Sequence, residues 1–318
     1  MHISVIVPCF NEERLLPFFL DYYTSFCDHI TIFDGLSTDK SREVVMSYMD
    51  RTSCEIELRV VKSPGIIDVF DPSVASLERN PFRSLHYIRS EGWRTLAPRH
   101  LDWVFTVDCD EFLWHPLGVR KKLEGYTRQC VSHEARYLGP VSTVVQMMSR
   151  TFPSCGPLPS TIRQGWIEPG VAAAKRVAFR PAFNPSHEFA EFDSEFSDEP
   201  IRERMFLLHY ARLGFEHFVT KSKEKLSRLS EHNLQRNLSF HLGPWSCMMQ
   251  SHFDALFSCA TSIPDVTHPQ AGKLAEKLAE ASRTPLDQPS RLRDLKTEIS
   301  VLQAKIRDEA NTRPPHSQ

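Results

Sequence analysis

Residues 3–13 read ISVIVPCFNEE, and this stretch decides how the rest of the chain is interpreted. Its β-branched first half is typical of a parallel strand buried on both faces, and a helix-like run follows over 12–26. A second helical pattern covers 40–48, and three further apolar runs alternate with these helices, at 30–33, 56–61 and 103–107. This alternation predicts an α/β protein with a mainly parallel sheet flanked by helices. Such sheets bind ligands at the carboxyl ends of their strands.

The second half of the chain has a mixed pattern. Strands are predicted at 136–146, 171–180 and 204–211 and a helix at 214–235, with an acidic, Phe-rich loop at 184–200 that is typical of a substrate-covering segment. After about residue 270 only helical patterns remain. We therefore predict one large α/β domain over 1–240, followed by a helical extension over 241–318 with a disordered tail.

The C-terminal extension carries apolar residues in steps of three and four: Leu292, Leu295, Ile299, Leu302 and Ile306. This spacing has two interpretations. An amphipathic helix docked on its own domain is favoured, since the pattern spans barely two heptads. A short coiled coil that makes a homo-oligomer through the C-terminal helix is the alternative.

Composition excludes several classes of protein. The chain has 318 residues and a formal net charge of −2, which gives no electrostatic reason to expect nucleic acid or an anionic membrane as partner. Its eight cysteines form no C-x-x-C pair and no zinc-finger spacing, as is typical of reduced core residues in the cytosol. No signal-peptide pattern or apolar stretch of about 20 residues is visible. We expect a cytoplasmic protein without a transmembrane segment.

The most informative motif is WVFTVDCDEFL at residues 103–113. Asp108 and Asp110, two positions apart at a strand end, project to one side, and three acidic groups in four residues repel one another unless a cation lies among them. Mn²⁺ or Mg²⁺ would relieve that repulsion and bind a diphosphate. The alternative is a solvated acidic turn, but the apolar residues on both sides favour a cleft.

Two earlier loops follow the first two predicted strands. In the first, Pro8 is expected to end the strand, while Asn11 or Glu12 caps the next helix and faces the crevice. In the second, Asp34 follows a strand at a position where an acidic side chain can accept hydrogen bonds from a base or ribose. Judged alone, each loop is also consistent with an ordinary helix cap.

Taken in order, the segments ISVIVPCFNEE, ITIFDGLSTDKS and WVFTVDCDEFL resemble the family 2-like glycosyltransferases of GT-A fold, in particular the subgroup with a D-x-D-E-F motif. The resemblance is strong over residues 1–115 and weaker over 175–188 and 207–225. It implies a GT-A-like fold and transfer of a sugar from a nucleotide-diphosphate donor, with a UDP-sugar expected. The acceptor would be a glycan hydroxyl, with bacterial surface polysaccharide as the expected class.

The resemblance also implies roles for residues of the nucleotide site. Pro8, Asn11 and Glu12 match the first nucleotide-contacting loop. Asp34 matches the acidic position that holds the uracil or ribose. Arg89 precedes the acidic motif, where family members often place a basic residue near the diphosphate.

A further set of residues is implied around the metal. Asp108 would contact the ribose or the metal, and Asp110 would be the principal ligand and a catalytic residue. His209 matches a histidine that often completes the metal shell. Lys221 and Lys223 would face the leaving diphosphate.

The catalytic base is the point at which the sequence departs from the family pattern. An inverting transferase needs a base to take the proton of the acceptor hydroxyl, and a carboxylate is the usual choice. Glu188 and Asp193 are both candidates, because no clean Glu-Asp pair occurs at the expected place. An inverting outcome is expected, but the choice between inversion and retention stays open at this stage.

Three other classes of protein share parts of this pattern. A haloacid dehalogenase-type phosphohydrolase would carry Asp-x-Asp at its first strand, followed by Gly-Thr, whereas Glu-Phe follows here. A nucleotidyltransferase would need a Gly-rich phosphate loop, and PCFNEE contains no Gly. A non-catalytic scaffold would bind neither metal nor nucleotide through the acidic cluster.

Overall fold

The computed structural model describes residues 1–61, 88, 94, 101–124, 142–167, 174–175, 177–181, 205–228, 242–259, 262–284 and 287–312. Ten strands and nine helices are defined in these ranges. The strands are β1 Ile3–Cys9, β2 His29–Asp34, β3 Glu55–Val60, β4 Trp103–Thr106, β5 Glu111–Trp114, β6 Ser142–Ser149, β7 Gly165–Trp166, β8 Ala174–Lys175, β9 Ala178–Phe179 and β10 Phe206–Leu213. The helices are α1 Leu16–Thr24, α2 Ser41–Met49, α3 Val119–Glu124, α4 Leu158–Thr161, α5 Phe215–Ser227, α6 Leu242–Ser246, α7 Gln250–Cys259, α8 Ala271–Arg283 and α9 Pro289–Thr312.

The first sheet has the strand order β3-β2-β1-β4-β9. The first four strands of that order are parallel to their neighbours, and β9 runs antiparallel to β4. Strands β2 and β4 are buried throughout and β1 nearly so, which explains why they are β-branched and aromatic rather than alternating. The predicted α/β class with a mainly parallel sheet is confirmed.

The second sheet has the order β5-β10-β6-β7, and β8 pairs with β6. Strand β10 is antiparallel to β5 and parallel to β6, with an irregularity in its register between His209 and Arg212. Strand β5 begins directly after the turn that ends the β4 segment. The acidic motif is therefore the covalent junction between the two sheets.

An aromatic cluster fills the space between helix α1 and that junction. The rings of Phe19 and Tyr23 pack near Phe112, and Tyr210 meets Phe112 edge to face at 5.1 Å between ring centroids. The Tyr23 hydroxyl donates to the Glu111 carbonyl at 2.9 Å, so the polar end of this buried ring is satisfied. Full burial of each aromatic side chain stabilises the fold by roughly 1.5–3 kcal/mol.

The helical C-terminal part agrees with the docked-helix interpretation. Leu295, Ile299 and Ile306 of α9 are buried within the chain, and α9 packs against α8. This burial accounts for the three-four spacing within one chain; self-association through the helix stays a prediction. None of the helices described here is both long and apolar enough to cross a membrane.

Several predicted elements differ from the observed ones at their ends. Strand β1 continues through Pro8, which pairs with Phe33, so the expectation that Pro8 ends the strand was wrong. Helix α5 ends at Ser227, short of the predicted residue 235. The segment predicted as one strand at 171–180 contains two short strands, β8 and β9. The predicted loop at 184–200 and the tail beyond residue 312 lie outside the described residues.

Candidate functional site

Three loops meet at the carboxyl edge of the first sheet. Cys9 at the end of β1 pairs with Asp34 at the end of β2, and Ile6 pairs with Thr106 at the end of β4. Because these strands are parallel, the loops that follow them emerge on the same side. The predicted convergence of the three polar motifs at one edge follows from this register.

The loop after β1 is held by Asn11. Its φ of 52° lies in the left-handed region, which Asn tolerates better than most residues because its short side chain bonds locally. The backbone N–H of Asn11 donates to Ser37 Oγ at 2.9 Å, and its side-chain oxygen accepts from Thr38 N at 2.8 Å. Its amide nitrogen donates to Glu224 Oε1 at 3.3 Å. Asn11 thus joins the first two loops to helix α5.

Glu12, next in the same loop, forms a largely buried ion pair with Lys221 of α5, with 2.7 Å between Oε1 and Nζ. Lys221 Nζ also donates to the carbonyls of Phe10 at 3.0 Å and Asn11 at 2.9 Å. The carboxylate of Glu224 also approaches the same ammonium group, with 3.3 Å between Oε2 and Nζ. Lys221 is 12% exposed. Its position supports a role in fixing the loop, which differs from the predicted contact with a diphosphate.

Burial and charge together set the protonation of this pair. Burial lowers the pKa of Lys221, but the carboxylates of Glu12 and Glu224 together outweigh that effect, and the net pKa is raised. Burial raises the pKa of Glu12, Lys221 opposes the shift, and the charge of Asp110 adds to it. The Glu12–Lys221 pair and the Asp110 carboxylate are therefore close enough to influence one another electrostatically.

Asp34 ends β2 with its side chain 1% exposed. Its carboxylate accepts from Arg42 Nε at 2.6 Å and from the Ser37 backbone N–H at 3.2 Å. Arg42, in the first turn of α2, was not identified from the sequence. The structure thus shows Asp34 engaged within the protein, and its contact with a base or ribose stays a prediction.

The acidic side chains of the turn do not all point the same way. Cys109 is buried, with Sγ 3.6 Å from the Pro8 carbonyl, while Asp108 and Asp110 are partly exposed. Glu111 turns inward, and its Oε2 accepts the backbone N–H of Asp108 at 3.0 Å. The third carboxylate of the motif therefore closes the turn instead of adding to the exposed cluster, which lowers the repulsion expected from the sequence.

Two nitrogen groups approach the carboxylate of Asp110. His209 Nε2 lies 3.4 Å from Oδ2, and Lys225 Nζ lies 4.0 Å from the same oxygen. The backbone of Asp110 is fixed by its carbonyl, which accepts from Tyr210 N at 2.7 Å. The side chains of Asp110 and Lys225 are 13% and 39% exposed, so this group borders the solvent.

Lys225 is the functional candidate that sequence reasoning missed. It lies one helical turn beyond Lys221 on the same face of α5, whereas Lys223 is exposed and about 200° away from both on the helical wheel. The four-residue spacing was visible in the sequence. The sequence alone did not reveal which lysine of that face reaches the acidic turn.

The predicted metal ligands are brought together only in part. Asp110 and His209 converge, but Asp108 does not join them: within the ranges given above, no three His, Cys, Asp or Glu side chains are grouped as metal ligands. A Mg²⁺ or Mn²⁺ ion bound mainly by substrate phosphates and water needs only one or two protein ligands. Asp110 and His209 fit that type of site. Arg89, Glu188 and Asp193 lie outside the described residues.

His217 lies on the same face of α5, one turn before Lys221. Burial lowers its pKa to about 3, and the nearby charges of Lys221 and Arg14 add to the shift. Its ring packs against Phe152, with 4.7 Å between the centroids. His217 is therefore a neutral packing residue at physiological pH.

These features define an α/β protein with an acidic turn, an imidazole and an ammonium group at the carboxyl edge of a parallel sheet. No protein-family model matches the chain, and no curated protein matches its sequence.

A search of solved structures matches S. aureus TarS. Residues 1–349 of TarS are 11% identical, with a TM-score of 0.31 and coverage of 97% of this chain and 83% of that one. The same TarS segment in complex with UDP is 13% identical, again with a TM-score of 0.31, over 97% of this chain and 88% of that one. Similarity at this level does not assign a role to any residue.

Proposed function

We propose that this chain is a glycosyltransferase that moves a sugar from a nucleotide-diphosphate donor, a UDP-sugar, to a hydroxyl of a glycan. The observation that carries the proposal is the convergence of Asp110, His209 and Lys225 at the edge where the loops after β1, β2 and β4 meet. The order of these motifs along the chain, and its resemblance to the family 2-like glycosyltransferases, support the same function. The proposed catalytic unit covers residues 1–240.

A divalent cation, Mn²⁺ or Mg²⁺, is part of the proposal. Asp110 supplies an oxygen ligand and His209 a nitrogen ligand, and their 3.4 Å separation allows both to face one ion. When bound, such an ion neutralises negative charge that develops on the departing diphosphate.

The surrounding residues prepare the site before substrate arrives. Asn11 fixes the first loop through bonds to two other segments, and the Glu12–Lys221 pair anchors the same loop to α5. A preformed site loses less free energy on binding than one that must be ordered. We propose that the loops after β1 and β2 bind the nucleoside and that Asp110 faces the diphosphate.

Transfer also requires that the acceptor hydroxyl lose a proton. Glu188 and Asp193 remain the proposed candidates for the base, with an inverting outcome. Replacing each of the two residues by its amide in turn distinguishes them. The variant that lacks the base should lose sugar transfer but still bind the nucleotide.

The proposal is tested by screening nucleotide sugars for slow hydrolysis in the presence of Mn²⁺, with and without Asp110→Asn. We expect the wild-type chain to hydrolyse a UDP-sugar and to gain thermal stability from UDP with Mn²⁺, by mass action. Asp110→Asn should lose both while keeping the far-ultraviolet circular dichroism spectrum. Hydrolysis at the wild-type rate by that variant would exclude the assigned site.

A scaffold protein gives the opposite result in the same assay. It would show no thermal shift with UDP, UDP-sugars or Mn²⁺ at any concentration tested. A nucleotidyltransferase would release pyrophosphate from UTP and a sugar phosphate, which a coupled phosphate assay detects.

A further inference from the structure

Helix α5 presents its lysines to three different surroundings. Lys221 is largely buried, and its ammonium group is held by Glu12, Glu224 and two backbone carbonyls. Lys223 is exposed on the far side of the helix. Lys225 is partly exposed and lies 4.0 Å from Asp110 Oδ2, at the border between the acidic turn and solvent. Only the third position combines proximity to the acidic turn with access for a ligand.

We propose that Lys225 binds the diphosphate of the nucleotide, which is the role that sequence resemblance assigned to Lys221 and Lys223. This inference rests on the proposed function, and its ligand is a nucleoside diphosphate. Lys225 is a binding residue that supplies one positive charge and flexible donors on a long side chain.

The charge balance around Asp110 gives the physical reason. In the free protein, Lys225 and His209 both approach the same carboxylate oxygen. A divalent cation bound at Asp110 would displace the Lys225 ammonium from that oxygen, because the two positive charges would repel each other at this distance. The ammonium group would then be released toward the phosphate oxygens. Lys221 has no such freedom, because its bonds to the loop after β1 hold it.

This exchange predicts different effects on the binding of two ligands. Removal of the Lys225 charge should weaken binding of UDP, since a charged hydrogen-bond partner of the diphosphate is lost. The same removal should leave binding of Mn²⁺ alone unchanged or slightly tighter, since a competing cation is gone. A variant that is merely misfolded would weaken both.

The experiment compares the full-length chain with Lys225→Ala, Lys225→Arg, Lys223→Ala and Lys296→Ala. Lys296 is an exposed residue of α9 and controls for the loss of one positive charge elsewhere. UDP affinity is measured by calorimetry at saturating Mn²⁺, and Mn²⁺ affinity by electron paramagnetic resonance without nucleotide. Thermal melting checks that each variant is folded.

We expect Lys225→Ala to weaken UDP binding about tenfold or more, as for loss of a charge-assisted hydrogen bond, and Lys225→Arg to recover most of it. Lys223→Ala and Lys296→Ala should bind UDP within about twofold of wild type. If Lys225→Ala binds UDP with wild-type affinity, or if Lys223→Ala loses as much UDP affinity, the inference about Lys225 is wrong while the proposed function stands. Failure of the wild-type chain to bind UDP overturns the proposed function as well.

Discussion

Replacing Lys221 with Met should destabilise the protein severely, because it leaves the largely buried carboxylate of Glu12, and that of Glu224, without their common cation. Lys221 Nζ lies 2.7 Å from Glu12 Oε1 and donates to two backbone carbonyls at 2.9 and 3.0 Å. The methionine side chain has a similar length but no charge and no donor. Breaking a fully buried ion pair from one side costs about 3–5 kcal/mol, and the lower end, about 3 kcal/mol, applies to a pair whose side chains are 12% and 14% exposed. We expect the free energy of unfolding of Lys221→Met to fall by that amount.

The double variant Glu12→Gln/Lys221→Met supplies the control. In the double variant the charge of Glu12 is gone as well, and only Glu224, whose Oε2 lies 3.3 Å from Lys221 Nζ, still loses this partner. The double variant should therefore be more stable than the sum of the single effects predicts, by roughly 2 kcal/mol. Urea unfolding, followed by tryptophan fluorescence and circular dichroism, gives each free energy and shows whether the m-value is kept. A loss below about 1 kcal/mol in Lys221→Met, with additive effects in the double variant, would refute the structural role of Lys221.

Three further predictions concern packing and pH. His217→Gln should flatten the pH dependence of stability. In the wild type the pKa of His217 is about 3 in the folded state and about 6.5 in the unfolded state, so stability is greatest above pH 6.5 and falls by about 2 kcal/mol between pH 7 and 5. Denaturation at several pH values measures this loss. Gly165→Ala should cost roughly 1–3 kcal/mol in urea unfolding, because the added Cβ would lie 2.6 Å from Val145 Cγ1. Ile306→Ala should lower the free energy of unfolding by about 2–5 kcal/mol, whereas Val301→Ala, at a position 63% exposed, should change it by less than about 0.5 kcal/mol; equal effects would contradict the docking of α9.

The sequence predicted those parts of the fold that local pattern controls. Buried parallel strands are continuous apolar runs, so β1, β2 and β4 were found within a few residues of their observed ends. Strand β3 was found as well, although it alternates charged and apolar residues and is only half-buried. The convergence of Asn11, Asp34 and Asp110 at one edge followed from the rule for parallel sheets. Pro8 was misjudged, because a proline without an N–H was taken as the end of a strand that in fact continues through it.

The parts that could not be predicted depend on contacts between distant segments. Helical periodicity places Lys221 and Lys225 on one face, but the depth at which each lies depends on how α5 packs against the loop after β1. Glu111 and Asp110 are neighbours of the same chemistry, and only the turn geometry sends one inward. The pairing of Asp34 with Arg42 likewise requires knowledge of how α2 begins. These outcomes come from tertiary packing rather than from propensity.

The acidic turn belongs to both sheets at once, and this has a consequence for how substitutions act. Asp110 follows a strand of the first sheet, while its carbonyl is bonded to Tyr210 in the second. The position of this carboxylate therefore depends on the packing beneath β4 and on the packing beneath β10 at the same time. We expect core substitutions in either sheet to disturb the proposed site through this one turn.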